Sequence, residues 1–270
     1  MSKPKLAVFD ADGLIFYAGW EFKDQLNMVS KIAAKKKLDK IITNILKRVD
    51  AEYYIGFYSA EGVKNFRHDI ATIAPYKGNR AAEPWQLYFK PVLKNNFEDK
   101  WGFHPVGDLE ADDCVVIAHH LYKDDYDVIH IGEDKDMKQV GEFTRMNPSR
   151  RSNPGQHIEE FDQETGRKFF WQQMCMGDST DNIKGIAGVG KKNKMITTID
   201  EMENPSEEEM FEFVKQGYIN KYGNSALDIM AENYILLRMF DKPCWDYPMD
   251  SEPILWKEKD AKTPMKLLDI

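Results

Sequence analysis

Three short apolar runs alternate with two stretches of helical periodicity, and that alternation leaves the chain few folds to choose from. The runs are residues 5–9 (KLAVF), 51–58 (AEYYIGFY) and 128–132 (VIHIG). Each has the length and β-branched or aromatic character of a buried strand. Between them Leu38, Ile41, Ile42, Ile45, Leu46 and Val49 share one helical face, and so do Ala111, Cys114, Val115, Ala118, Leu121 and Tyr122. Strand, helix, strand, helix, strand predicts a parallel sheet with helices on its faces, and ligands gather beyond the carboxyl ends of such strands. Residues 64–105 are rich in aromatics, lysines and prolines (Pro75, Pro84, Pro91, Pro105), which predicts short helices and turns projecting from the sheet. From about residue 170 the strand pattern stops. Residues 168–176 look helical, Ser206 to Glu209 is a capping box, and residues 227–237 form a further helical stretch. The expected organisation is an α/β unit over 1–170 followed by a helical part over 171–270.

Acidic residues stand where these strands end. Asp10 and Asp12 follow the first run, Glu110, Asp112 and Asp113 open a helix, and Asp134 and Asp136 follow the third run. Asp178 and Asp181, in GDSTDN, open the helical part. Singly, each has an ordinary structural explanation, since acids favour the first turn of a helix and Asp bonds its own backbone in turns. Together at one sheet edge they would repel and raise one another's pKa unless cations held them. Oxygen donors without thiolates or imidazoles suit hard ions, Mg²⁺ or Mn²⁺, rather than zinc. Leaving Asp12 aside, the other eight carboxylates equal the whole formal net charge of −8, so the rest of the chain is neutral overall.

That balance matters because a net acidic protein is a poor candidate for nucleic acid unless its basic residues are grouped. They are. Between residues 64 and 94 six basic side chains face two acidic ones, and residues 183–194 hold four lysines and no acid. No run approaches the ~20 apolar residues of a membrane span, and the start lacks a secretory signal pattern, so a cytoplasmic protein with no membrane partner is expected. Cys114, Cys175 and Cys244 are widely spaced among apolar neighbours and read as reduced thiols, and the six histidines show no metal spacing.

Residues 6–20, LAVFDADGLIFYAGW, leave two chemistries open, Asp10 as a phosphotransfer nucleophile or as a metal ligand. The stretch resembles the nucleophile motif of haloacid-dehalogenase-type phosphatases, but Leu14 stands where that family has Thr or Val, and the distal acidic spacing is one residue short. A second family accounts for the basic patches as well. VFDADGLIFYA, FRHD, PYKGNR (75–80), LEADD (109–113), GEDKDMKQV (132–140) and MGDSTDNIKGIAGVGKKNK (176–194) occur in order over residues 5 to about 200. In this the chain resembles the bacteriophage and bacterial 5′-nucleases, the flap endonuclease and 5′→3′ exonuclease group that includes the N-terminal domain of bacterial DNA polymerase I.

The resemblance implies a PIN-like α/β core with helices on both faces, a helical arch over about 70–105, and a helix-hairpin-helix element over about 176–200. It implies a nuclease that cuts DNA near free 5′ ends with two Mg²⁺ or Mn²⁺ ions. Asp10, Glu110 and Asp112 would hold the first ion, Asp134, Asp136, Asp178 and Asp181 the second, with Asp113 outside them acting through water. Lys77 and Arg80 would act on the scissile phosphate. Tyr76 would stack on the terminal base, with Phe66 and Arg67 as further DNA contacts. Gly185, Gly188 and Gly190 with Lys191 and Lys192 would hold duplex DNA, with a potassium ion at the hairpin. Backbone N–H groups at a glycine-rich turn and nearby lysines suit sequence-independent phosphate binding. Trp85, Tyr88 and Phe89 with Lys90 and Lys94 make an aromatic and basic interleave that suits a single strand or, equally, a packed helix. Two positions depart from the family. Tyr58 or Ser59 stands where an Asp follows the second strand, a loss for which Asp12 could compensate, and Asn193-Lys194 replaces the usual Thr-Ala. The expected partner is branched or 5′-ended duplex DNA bound by a monomer. An RNA/DNA hybrid, a non-catalytic branched-DNA binder and the phosphatase are the alternatives.

Overall fold

A computed structural model describes residues 2–149, 158–244 and 246–256. The strands are β1 (Lys5–Asp10), β2 (Tyr53–Ser59), β3 (His104–Val106), β4 (Asp127–Ile131), β5 (Phe143–Met146), β6 (Ile158–Phe161) and β7 (Ile254–Leu255). The helices are α1 (Asp12–Gly19), α2 (Met28–Val49), α3 (Arg67–Ile70), α4 (Pro84–Trp101), α5 (Ala111–Tyr122), α6 (Gln163–Met176), α7 (Lys194–Glu201), α8 (Glu207–Tyr222) and α9 (Ala226–Leu237). The sheet order is β3-β2-β1-β4-β5-β6, parallel through β5, with β6 antiparallel on β5 and β7 antiparallel on β2. The predicted parallel core is present, and the two antiparallel edges make the sheet mixed.

β1 lies in the middle, which is why its sequence is apolar without alternation. Ala7 and Phe9 face α1, α2 and α4, while Leu6 and Val8 face α5, and none of the four is exposed to solvent. Helices therefore cover both faces, as the element order predicted. α2 is longer than its periodicity indicated because its first turns place Met28, Val29 and Ile32 in solvent. The Asn27 and Ser30 capping box starts it there.

The projecting character expected for 64–105 is corrected over its second half. Residues 84–101 form one helix whose Trp85, Phe89, Leu93, Phe97 and Trp101 recur every fourth position, and all five are buried in the core. Pro84 occupies the first turn, where its missing N–H costs no hydrogen bond. Residues 64–83 keep the irregular form, with only the short α3. Helices α6 to α9 close around Phe170, Trp171, Met174, Ile199, Met210, Val214 and Tyr218. α6 starts at Gln163 and β7 returns to the main sheet, so the division expected near residue 170 falls inside a helix. Among the described residues no helix is long and apolar enough to cross a membrane.

Candidate metal and nucleic-acid site

Parallel pairing brings the carboxyl ends of β1, β2 and β4 to one edge. Asp10 pairs in register with Phe57, and Phe9 with Ile131. Beyond β4 the chain passes close to Asp10 at Gly132, where a Cβ would sit 3.3 Å from the Asp10 Cβ and 2.7 Å from the Met137 side chain. Glycine permits that approach. The result is a cleft of about 440 Å³ lined by Asp10, Asp12, Glu110, Asp112 and Asp134 together with Lys77, Arg80, Lys90, Lys94 and His68.

The acids divide by how they are compensated. Asp10 and Asp112 are held well above the usual carboxylate range, first by burial and then by neighbouring acids: Asp12 and Asp134 act on Asp10, and Glu110, Asp113, Asp134 and Asp10 act on Asp112. Asp136 is pushed up to about 7, by burial and then by Asp134. Asp134 thus acts on all three and joins the cleft to the second acid group. Glu110 behaves oppositely: burial raises it, but Lys77 and Arg67 outweigh burial and leave it lowered. Asp178 is likewise lowered despite burial, because Lys135 donates a hydrogen bond to it. Gln173 reaches from α6 to Asp136, 2.6 Å away. Buried carboxylates that raise one another's pKa are a cluster that a bound cation would stabilise in its charged form. Among the described residues no three acids or histidines form a preformed ion cage. Their carboxylates are turned to other partners: Lys77 on Glu110, Arg80 on Asp181 and Lys135 on Asp178.

Two distant sequence motifs meet here. Within PYKGNR, Lys77 N donates to the Asp181 carbonyl (2.9 Å), Asn79 Nδ2 to the Ser179 carbonyl (2.7 Å) and Arg80 Nε to the Thr180 carbonyl (3.1 Å). In return Asn182 Nδ2 donates to the Pro75 carbonyl at 2.9 Å. The strap that carries Lys77 and Arg80 is thereby sewn to the GDSTDN turn. That turn is tight because Gly177 and Gly185 pack back to back, with φ of +72° and +53°.

Five expected contacts are corrected. Arg67 does not face nucleic acid: it is 3% exposed and forms a two-toothed ion pair with Asp113 at 2.6 and 2.8 Å. It also donates to the carbonyls of Leu236 and Arg238, each at 3.1 Å. Asp113, fully buried in that pair, points away from the cleft. Tyr76 is 3% exposed and cannot stack on a base, and its hydroxyl lies within hydrogen-bonding distance of both Glu110 (2.7 Å) and Asp181 (3.0 Å). Phe66 packs against Phe240 and the Arg67 guanidinium. Nor can Gly185 approach a phosphate, because it is buried against Gly177. Gly188, Gly190, Lys191 and Lys192 are exposed on the hairpin that leads into α7, whose first turn Asn193 caps by accepting from Met195 N.

The sequence reading missed three supports of the site. Asp246 accepts from the amides of Gly107, Asp108 and Leu109 at 2.7 to 3.0 Å and so fixes the loop that presents Glu110. Lys135 and Gln173 hold Asp178 and Asp136. The acid-lysine alternation of EDKD was legible as a hint for Lys135, whereas nothing local marked Asp246 or Gln173.

No family model matches the chain. Among curated proteins it is 27% identical over 208 residues to DNA polymerase I of Streptococcus pneumoniae, covering 71% of this chain and 23% of that one. It is 31% identical over 163 residues to the 5′-3′ exonuclease of Buchnera aphidicola, covering 58% of this chain and 56% of that one. The Bacillus subtilis 5′-3′ exonuclease is 29% identical over 140 residues, covering 48% of this chain and 47% of that one. The chain thus spans about a quarter of the polymerases and about half of the exonucleases that it matches. Among solved structures, the bacteriophage T5 flap endonuclease, determined with DNA and metal ions, superposes with a TM-score of 0.56 at 18% identity over 86% of this chain and 99% of that one. Flap endonuclease-1 from Methanococcus jannaschii gives 0.52 at 12% identity over 93% and 82%. The chain has the fold of these flap endonucleases, and its sequence resembles the 5′-nucleases represented by 5′-3′ exonucleases and DNA polymerase I.

Proposed function

We propose that the chain is a structure-specific, divalent-metal-dependent nuclease that hydrolyses DNA phosphodiester bonds near free 5′ ends. The observation that carries this reading is the single cleft at the sheet's carboxyl edge, where buried carboxylates with raised pKa face lysine and arginine side chains. The carboxylates are hard oxygen donors, with no thiolate on the cleft wall and His68 as its one imidazole, and such a set fits two Mg²⁺ or Mn²⁺ ions. When bound, such ions lower the pKa of an attacking water and neutralise charge on the leaving oxygen.

The chain's own residues then have separable tasks. Asp10, Glu110 and Asp112 would hold one cation, and Asp134, Asp136, Asp178 and Asp181 the other. Lys77 and Arg80 are already within reach of these acids, and a phosphate group entering the cleft would compete for them. Their positive charge favours a transition state whose negative charge grows. The hairpin carrying Gly188, Gly190, Lys191 and Lys192 holds duplex DNA, with a potassium ion as its companion, and the protein acts as a monomer. Asp12 stands in for an acid at the end of β2: its carboxylate accepts from Ser59 N at 3.2 Å and from Ser59 Oγ at 2.5 Å. Asp12→Ala should raise the Mg²⁺ concentration needed for half-maximal cleavage several-fold. An unchanged titration removes that role.

The test is incubation with a 5′-labelled flap, a nicked duplex, an RNA/DNA hybrid and a small phosphoester, each with Mg²⁺ and with EDTA. Cleavage of the flap or nicked duplex only with Mg²⁺ is expected. Consumption of the phosphoester alone would identify a phosphatase, and binding of the flap without cleavage a non-catalytic protein.

A further inference from the structure

A chain of side-chain amides leads from the end of α9 to Asp136, and the backbone sets its direction. The last carbonyls of a helix have no partner within it. Where α9 ends, Arg67 donates to the carbonyls of Leu236 and Arg238, and Gln139 Nε2 donates to that of Leu237 at 2.8 Å. Met239 N donates in return to Gln139 Oε1 at 3.2 Å. A backbone N–H can only donate, so this contact fixes which end of the Gln139 amide is oxygen. Gln139 Nε2 also donates to Gln173 Oε1 (3.2 Å), which leaves Gln173 Nε2 facing Asp136 Oδ1 at 2.6 Å and Asp178 Oδ2 at 3.5 Å.

The surroundings make this relay stiff. Asp136 and Gln139 both lie in the helical turn Lys135–Val140 that follows β4, three residues apart and so on one face of it. Gln173 reaches from α6 to both and is 3% exposed. Turned the other way, its amide would set oxygen against the Asp136 carboxylate and nitrogen against the Gln139 nitrogen, and buried polar groups left unsatisfied are costly. The segment leaving α9 also reaches the other acid group. Phe240 N donates to Asp113 Oδ1 at 3.3 Å, and Arg67, paired with Asp113, lies 3.4 Å from Glu110. Residues 236–240 are thereby tied to both groups of carboxylates.

We infer that Gln139 and Gln173 are positioning residues, a relay that takes its orientation from the Leu237–Met239 backbone and holds the Asp136 carboxylate in the direction in which it binds a cation. The inference rests on the two-cation nuclease reading and deepens it. It makes the end of α9, in the helical part of the chain, a determinant of cation affinity at the sheet edge.

The experiment measures Mn²⁺ binding without nucleic acid, from the electron paramagnetic resonance signal of the free ion, for the wild type, Gln173→Met, Gln139→Met and the double variant. Methionine keeps the length of glutamine and removes its hydrogen bonds. Asp136→Asn identifies which Mn²⁺ site this carboxylate serves. Gln173→Met should weaken that site about tenfold, as loss of a ligand's hydrogen-bond partner does, and leave the other within about twofold. Gln139→Met, whose wild-type side chain bonds no acid, should weaken the same site several-fold. The double variant should lose no more than Gln173→Met alone, because members of one network do not add. Gln139→Asn, too short to join Gln173 to the Leu237–Met239 backbone, should give the same result and decides the matter if Gln139→Met does not fold. Unchanged Mn²⁺ affinity in the Gln139 variants, losses that add, or equal losses at both sites overturn the relay alone. A wild type that binds fewer than two Mn²⁺ ions overturns the two-cation reading and the relay with it.

Discussion

The Tyr76 hydroxyl sits within hydrogen-bonding distance of Glu110 from one motif and of Asp181 from another, so this buried side chain links two acid groups that lie far apart in the chain. Its neighbour Lys77 adopts a left-handed backbone conformation, φ 52°, and its side chain reaches Glu110. On the proposed reading Lys77 serves the reaction rather than DNA affinity. Lys77→Ala should lower single-turnover cleavage about 100-fold or more, on the scale of losing a charge-stabilising donor, while duplex affinity stays within a few-fold. Lost affinity with an unchanged rate would reverse the assignment. Arg67 belongs to the opposite class. Its removal leaves Asp113 buried and unpaired, so Arg67→Ala should destabilise the fold by about 3 to 5 kcal/mol, measured by urea unfolding. A variant as stable as the wild type would show that the pair is dispensable. Asp10, Glu110, Asp112 and Asp134, which line the cleft, were legible as a group because they stand at or just beyond strand ends and at a helix start. Arg67 and Tyr76 were misread because a motif gives residue type and order but not the direction in which a side chain points.

At the level of elements, α4 is the instructive case. Its aromatics and lysines alternate with a four-residue spacing that suits a stacking surface or a packed helix, and the sequence could not choose. Packing decided, because α1 and α2 present an apolar face that Trp85, Phe89 and Leu93 cover. The hairpin between α6 and α7 was clearer. GDSTDN running into IKGIAGVGKKNK specifies a glycine-dependent turn, and the exposed Lys191 and Lys192 at its tip follow from their charge. Changing both lysines to alanine should weaken duplex affinity and reduce the slope of log affinity against log salt by up to about 1.8, or about 0.9 for each lost phosphate contact. Cleavage at saturating enzyme should be preserved. An unchanged slope would remove the hairpin from the DNA-binding surface. The short strands β3, β5, β6 and β7 were not legible, since two to four residues carry too little pattern to rise above loop composition.

For the whole molecule, the carboxyl edge links metal binding, protonation and stability. Asp136 titrates at about 7 in the fold, against about 3.9 for an unfolded Asp, and Asp10 and Asp112 are raised as well. The metal-free fold therefore holds more protons than the unfolded chain below about pH 7, and these carboxylates add stability as pH falls from there toward 4. A divalent cation must displace those protons. The rise in melting temperature on adding Mg²⁺ should accordingly be larger at pH 7.5 than at pH 5.5, and equal rises at the two values would contradict the assignment of these carboxylates to the ions. The sequence by itself determined the parallel core, the acids at its strand ends and the glycine-rich basic hairpin, because strand periodicity, helix starts and turn chemistry are encoded within a few neighbouring residues. Only the tertiary structure decided which charges meet. Lys77 with Glu110, Arg67 with Asp113, Asp246 with the 107–109 amides and Gln173 with Asp136 lie between 33 and 139 residues apart, and no local pattern specifies contacts that exist only once the chain has closed on itself.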